Sequence, residues 1–232
     1  MLQAALNGAR RPDEHPALPL TPEQLAADAR AVVAEGARSL HLHVRDASGA
    51  ESLEPADVAA ALRAVRAAAP GIEVSLSTGL WIAGHRRTDL IAAWTELPDL
   101  VSLNLSEDGW PELWALLADR GIGIEAGLAT TGDADALVDS GLRHARVLVE
   151  IDDEQAGDDA AVAAAAAIED RLAGMGPQLH HGMGPATWAV IAAARDHDTR
   201  IGLEDVLTLP GGAPAPGNAA LVAYAARGRS ST

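Results

Sequence analysis

The chain is 232 residues long and sets 17 basic against 33 acidic residues, a net charge of −16 that repels a nucleic-acid backbone and most anionic membrane surfaces. It has no cysteine, and every basic residue is an arginine, which excludes disulfides, thiolate nucleophiles, lysine Schiff bases and a pyridoxal-phosphate lysine. No apolar run approaches the roughly 20 residues that span a bilayer, and the stretch up to Asn7 and Arg10 has no signal-like apolar core, so a soluble cytoplasmic protein is expected.

In chain order, short apolar runs alternate with longer Ala-rich stretches of helical period. The first run, LQAAL at 2–6, leads to a helix at 22–35, which LTPEQL opens with Thr21 as N-cap, Pro22 at the first helical position and Gln24 as capping-box partner. SLHLHV (39–44) and a helix at 55–69 follow, then IEVSLS (72–77) with a helix at 86–95, and LVSLNL (100–105) with one at 110–119. The second half repeats the rhythm: IGIEAGL (122–128) and 133–142, ARVLVEI (145–151) and 158–173, PQLHHG (177–182) and 185–195, TRIGLE (199–204) and 217–227. An open doubly wound sheet uses the same alternation, but eight β-then-α units favour closure. A single (β/α)8 TIM barrel over residues 1–232 is therefore expected.

In such a barrel, chemistry belongs where strands end and βα loops begin. Polar residues gather at those exits: Asn7, His41 and His43, Ser77 and Thr78, Asn104, Glu125, Glu150, His180 and His181, and Glu204 with Asp205. Burying all of them unpartnered would cost about 1–3 kcal/mol each, which favours a site. Residues i and i+2 of a strand share a face, so His41 and His43 project inward together and can hold one divalent metal. The second and eighth strands both flank the first, so Glu204 can supply the third ligand. Two histidines and a carboxylate with open positions suit catalytic zinc, and equally another divalent metal such as ferrous iron.

HLHVRD, the Ser77–Gly79 triplet STG, SLNL at Ser102–Leu105, and DTRIGLEDVLTLPGGAPAPGNAALV at Asp198–Val222 together resemble the β-keto acid cleavage enzymes, typified by 3-keto-5-aminohexanoate cleavage enzyme. The resemblance implies a zinc-dependent (β/α)8 enzyme that condenses a β-keto acid with the co-substrate acetyl-CoA and releases acetoacetate and a new acyl-CoA. It further implies a homo-oligomer, tetrameric or larger. By the same resemblance His41, His43 and Glu204 are metal ligands, Asp205 is the general base and Arg200 its partner. Ser77, Thr78 and Gly79 hold the substrate carboxylate, with Asn104 a further substrate contact.

The chain departs from that family in three places. The first βα loop, NGARRPDEHP, offers Arg10 where an acidic residue is usual, with Glu14 behind it; the segment after Ser106 is short; and Pro185 stands where an arginine is common. GHRR at Gly84–Arg87 is then the remaining basic patch for an anionic cofactor. Two other readings stay open: an amidohydrolase-like metal hydrolase, and a catalytically degenerate barrel that binds a metal or a small acid. Against the hydrolase, the H-x-H motif falls on the second strand and no lysine can carry a bridging carbamate.

Overall fold

The computed structural model describes residues 1–151, 157–194 and 196–229. Eight parallel strands close in sequence order: β1 (Leu2–Ala5), β2 (Ser39–Leu42), β3 (Glu73–Ser77), β4 (Leu100–Asn104), β5 (Gly123–Leu128), β6 (Arg146–Ile151), β7 (Gln178–Gly182) and β8 (Asp198–Ile201). β8 returns to β1 in parallel register, Gln3 opposite Arg200. The expected (β/α)8 barrel is thus the observed fold.

The helices form the outer layer: α1 (Pro22–Ala34), α2 (Pro55–Ala68), α3 (Leu80–Ala83), α4 (Arg87–Ala92), α5 (Trp110–Asp119), α6 (Thr131–Ser140), α7 (Asp158–Glu169), α8 (Thr187–Ala193) and α9 (Asn218–Arg229). Among the described residues none is long and apolar enough to cross a membrane. Thr21 and Gln24 form the expected capping box of α1, satisfying two orphan N–H groups at its start. The helix expected at 86–95 begins earlier, at Leu80, and is broken by Gly84 into α3, a 3-10 turn and α4. α6 begins two residues before its expected start, because Thr130 and Asp133 make a second capping box.

Alternation along the strands sorts two interiors. Leu40, Leu42, Val74, Leu76, Val101, Leu103, Ile124, Val147 and Val149 face the helices and pack in one apolar cluster with Leu25, Val58, Leu62, Leu113, Leu117 and Ile168. The alternate residues line the barrel axis, where the lower layer is polar. Gln3 Nε2 on β1 reaches across to Glu125 Oε1 on β5 at 2.9 Å, and Arg146 Nε donates to the same carboxylate at 2.7 Å. Arg146 also pairs with Glu73, and Ser75 donates to Glu125. The buried Glu125–Arg146 pair stands against its desolvation cost only because several hydrogen bonds converge on each of the two charges.

The eighth strand is shorter than expected. It ends at Ile201, and Gly202–Asp205 turn inward, with Asp205 N–H bonded to Gly202 O at 3.0 Å. Gly202 makes this possible: a Cβ there would lie 1.8 Å from Ala5 O, so only glycine lets the turn lie against β1. Glu204 N–H then donates to Ala5 O at 3.4 Å, which brings its carboxylate over the mouth of the barrel. Gly8, at φ +56°, passes beneath it, where a Cβ would meet Glu204 Cγ at 2.4 Å.

Candidate functional site

His41 sits inside β2 and His43 one step beyond its end. The extended course is kept past the strand by Asn7, whose side chain accepts from His43 N–H at 2.9 Å and donates to His43 O at 2.9 Å and Pro19 O at 3.0 Å. Asn7, expected among the rim polar groups, is thus occupied in stitching β1 to β2. Both imidazoles are buried, with ring centroids 5.3 Å apart.

Their Nε2 atoms converge on Glu204 Oε1, at 3.8 Å from His41 and 3.4 Å from His43. The hydrogen-bond network assigns the tautomers. Ser75 gives its proton to Glu125, so it can only accept from His41 Nδ1, 3.3 Å away, which leaves the His41 Nε2 lone pair facing Glu204. His43 Nδ1 lies 2.5 Å from Glu51 Oε1, so it too carries hydrogen on the far nitrogen. Burial, with Arg200 and His43 nearby, pushes the His41 imidazole down to about 3. Burial works the same way on His43, but Glu204 and Glu51 outweigh it and raise that ring to about 9.

These residues fit a divalent cation. One ligand atom from each of His41, His43 and Glu204 lies within 4.8 Å of the others, and the buried Glu204 Oε2 has no hydrogen-bond partner. Tetrahedral zinc with bonds of about 2.0–2.1 Å sets neighbouring ligands about 3.3 Å apart, so a contraction of about 1.5 Å at most completes the set.

Arg200 on β8 joins this triad to a second carboxylate. Its guanidinium donates to Glu204 Oε1 at 2.7 Å and to Asp205 Oδ1 at 3.1 and 2.8 Å. The pull of Arg200 overcomes burial and holds Glu204 well below the usual carboxylate range. Asp205 is fully buried, and its Oδ2 has no partner. Beyond it, His181 on β7 lies between two carboxylates, Nδ1 3.4 Å from Asp205 Oδ1 and Nε2 3.2 Å from Glu150 Oε2 on β6. Burial and Arg200 oppose a proton on His181, yet Asp205 and Glu150 raise its affinity above the ordinary value.

The remaining expected residues divide. Ser77 faces the axis at the end of β3, its Oγ accepting from Gly79 N–H at 3.4 Å. Asn104 closes β4 and packs over Gly127, where a Cβ would meet its Oδ1 at 2.2 Å. Thr78, by alternation, points away from the axis, and its hydroxyl donates to Ser102 O at 2.6 Å. Gly79 caps α3 with the Trp81 ring above it, 2.3 Å from where a Cβ would sit. Glu125 belongs to the lower polar layer and not to the rim. The basic patch at Gly84–Arg87 is consumed: Arg87 is buried against Glu107 and the carbonyls of Thr78 and Asp108, and Arg86 pairs with Glu54. Arg10 turns back onto Leu203 O and pairs with Glu14 at 3.2 Å.

His180, next to His181 on the strand, points outward and stacks on His197 at 4.5 Å with ring planes 3° apart; Glu169 completes a second His-His-carboxylate group. Parallel rings cannot both aim an in-plane lone pair at one ion. His180 Nε2 is also 2.9 Å from Gln178 Oε1 and His197 Nε2 2.8 Å from Glu169 Oε1, so this group reads as a packing contact. Sequence reasoning missed Glu51 and Trp81. The Trp81 indole N–H donates to Glu51 Oε2 at 3.0 Å, and its ring stacks over His43 at 6.3 Å.

A family model described as beta-keto acid cleavage enzyme matches residues 1–230. Over 113 residues the chain is 32% identical to 3-oxoadipate:acetyl-CoA acetyltransferase of Cupriavidus necator, covering 48% of this chain and 39% of that protein. Over 80 residues it is 34% identical to 3-keto-5-aminohexanoate cleavage enzyme of Fusobacterium nucleatum, covering 34% of this chain and 29% of that protein. The ternary complex of ObcA with C4-CoA adduct and oxalate has the same fold, with a TM-score of 0.75 at 18% identity over 91% of this chain and 63% of that one. The chain therefore spans less than two thirds of the length of each of these relatives.

Proposed function

Because the chain belongs to the beta-keto acid cleavage enzyme family, we propose that it condenses a β-keto acid with acetyl-CoA and releases acetoacetate and a new acyl-CoA. The observation that carries the reading is the convergence, within one buried cluster, of a His-His-carboxylate triad and a second carboxylate, Asp205, held beside it by Arg200. His41, His43 and Glu204 would hold zinc or another divalent ion, and the bound ion would supply Lewis acidity that makes the carbon next to the keto group more acidic.

Asp205 takes the proton from that carbon. Its Oδ1 is fixed by two bonds from Arg200, so the unpartnered Oδ2 is the atom that receives it. Arg200 carries no proton in the reaction; it fixes both carboxylates and offsets their repulsion. Ser77 and Asn104 hold the substrate carboxylate through hydroxyl and amide, and the Thr78–Gly79 turn contributes backbone. The assembly expected is a homo-oligomer of this barrel.

The test has two parts: metal analysis of the purified protein, then an assay for acetoacetate from acetyl-CoA with a panel of β-keto acids. The reading expects close to one divalent ion per chain and acetoacetate formed only when both substrates are present. Turnover by water without dependence on the thioester would replace it with the hydrolase reading.

A further inference from the structure

Glu51 reaches His43 through a tight reversal that the sequence encodes locally. Asp46 Oδ1 accepts the N–H groups of Ser48 at 2.8 Å and Ala50 at 3.1 Å, and Gly49 supplies a positive φ of 86°. The returning chain pairs Arg45 with Glu51 in antiparallel register, and Ser52 N–H donates to Val44 O at 2.9 Å. Glu51 is thereby laid beside His43, its side chain 12% exposed, with one oxygen on His43 Nδ1 and the other on the Trp81 indole. Trp81 itself is 57% exposed, the most exposed of the large hydrophobic side chains described, and touches none of the three candidate ligand atoms through hydrogen bonds. Its ring lies over Gly79 and covers His43 at an interplanar angle of 28°, and its N–H engages Glu51.

We propose that Glu51 and Trp81 are positioning residues for His43: Glu51 holds the ring with hydrogen on Nδ1 and Nε2 directed at Glu204, and the Trp81 indole N–H acts only through Glu51. The physical ground is general, since a carboxylate that takes the far N–H of a ligating imidazole fixes its tautomer and orientation and raises its basicity as a ligand. The inference rests on the metal site proposed above, and its consequence is specific to this chain: an exposed rim tryptophan governs the affinity of a buried site.

Zinc affinity of the 232-residue chain, measured by competition with a chromophoric chelator, tests this in wild type, Glu51→Gln, Trp81→Phe and the double variant. Melting of each metal-free protein serves as a check of folding. Glu51→Gln should weaken zinc binding about 10–100-fold, the usual effect of losing such a partner. Trp81→Phe keeps the stacked ring and loses the N–H, so it should weaken binding by a smaller factor. The double variant should bind like Glu51→Gln alone, because the stacked ring is kept in both and the indole N–H has no carboxylate to orient once Glu51 is replaced. Binding by Glu51→Gln within twofold of wild type overturns the inference while leaving the metal site intact, and independent, multiplying losses overturn the dependence of Trp81 on Glu51. Failure of wild type itself to bind zinc or any other divalent ion refutes the proposed site and not merely its positioning.

Discussion

Replacing Asp205 with asparagine separates the proposed base from the metal ligands beside it. The amide oxygen can still accept both Arg200 bonds, now at 3.1 and 2.8 Å, so the geometry should hold while the charge and the proton-accepting capacity are lost. Removing one partner of a buried ion pair typically costs about 3–5 kcal/mol. Here Arg200 keeps Glu204 at 2.7 Å, which places the loss at or below the lower end of that range. At about 2–4 °C per kcal/mol for a chain of this size, the melting temperature should fall by about 5–10 °C and the protein should remain folded at assay temperature. Turnover should fall much further: general-base catalysis contributes about 10²–10⁴-fold, or about 2.7–5.5 kcal/mol of barrier. A base acts in the transition state, so the loss belongs in kcat, with KM and bound metal near wild type. Steady-state kinetics with metal analysis on the same preparation reads all three. A kcat within threefold of wild type, or loss of metal, would refute the role assigned to Asp205.

Two further perturbations follow from the same geometry. Glu204→Gln exchanges an anionic ligand for a neutral one, so bound metal should drop together with activity, measured by metal analysis after dialysis; retention of wild-type metal would place the third ligand elsewhere. Asp28 on α1 is pushed up from 3.8 to about 6 by burial, against the lowering effect of its 2.6 Å hydrogen bond from Asn218. Its folded-state value is the higher one, so the stability attached to the protonated carboxyl is fully present below about pH 3.8 and is lost as pH rises through about 6. Asp28→Asn mimics the neutral form and should therefore be the more stable protein at pH 7.5, by about 1–2 kcal/mol after allowance for partial exposure, with the gap closing toward pH 4. Denaturant melts at the two pH values check this, and a gap independent of pH would contradict it.

Much of the barrel was legible because its signals are local. Apolar runs of strand length, the Thr21–Gln24 cap and the same-face spacing of His41 and His43 each depend on residues a few positions apart. The Thr130–Asp133 cap was equally local and its Thr-x-x-Asp pattern could have been read. Alternation could also have told His180 from His181, since neighbours on a strand face opposite ways. The turn carrying Glu204 and Asp205 was hidden, because it depends on Gly202 lying against the backbone of Ala5 at the other end of the chain. Glu125 reads as a rim residue from its run alone; only the register across β4, β5 and β6 puts it in the lower layer, facing Arg146. Glu51 sits in a loop whose reversal at Asp46–Gly49 was marked by its turn residues, but the partner it reaches is fixed by three dimensions and not by spacing.

The most direct measurement of the central claim follows carbon. Acetyl-CoA labelled with carbon-13 in both acetyl carbons is incubated with the metal-loaded protein and an unlabelled β-keto acid, and the products are read by NMR. Transfer of the acetyl group predicts acetoacetate labelled at its keto and methyl carbons, accompanied by an equal amount of unlabelled new acyl-CoA. Label recovered as acetate with unesterified CoA, or left wholly in acetyl-CoA while the β-keto acid is consumed, would contradict the account.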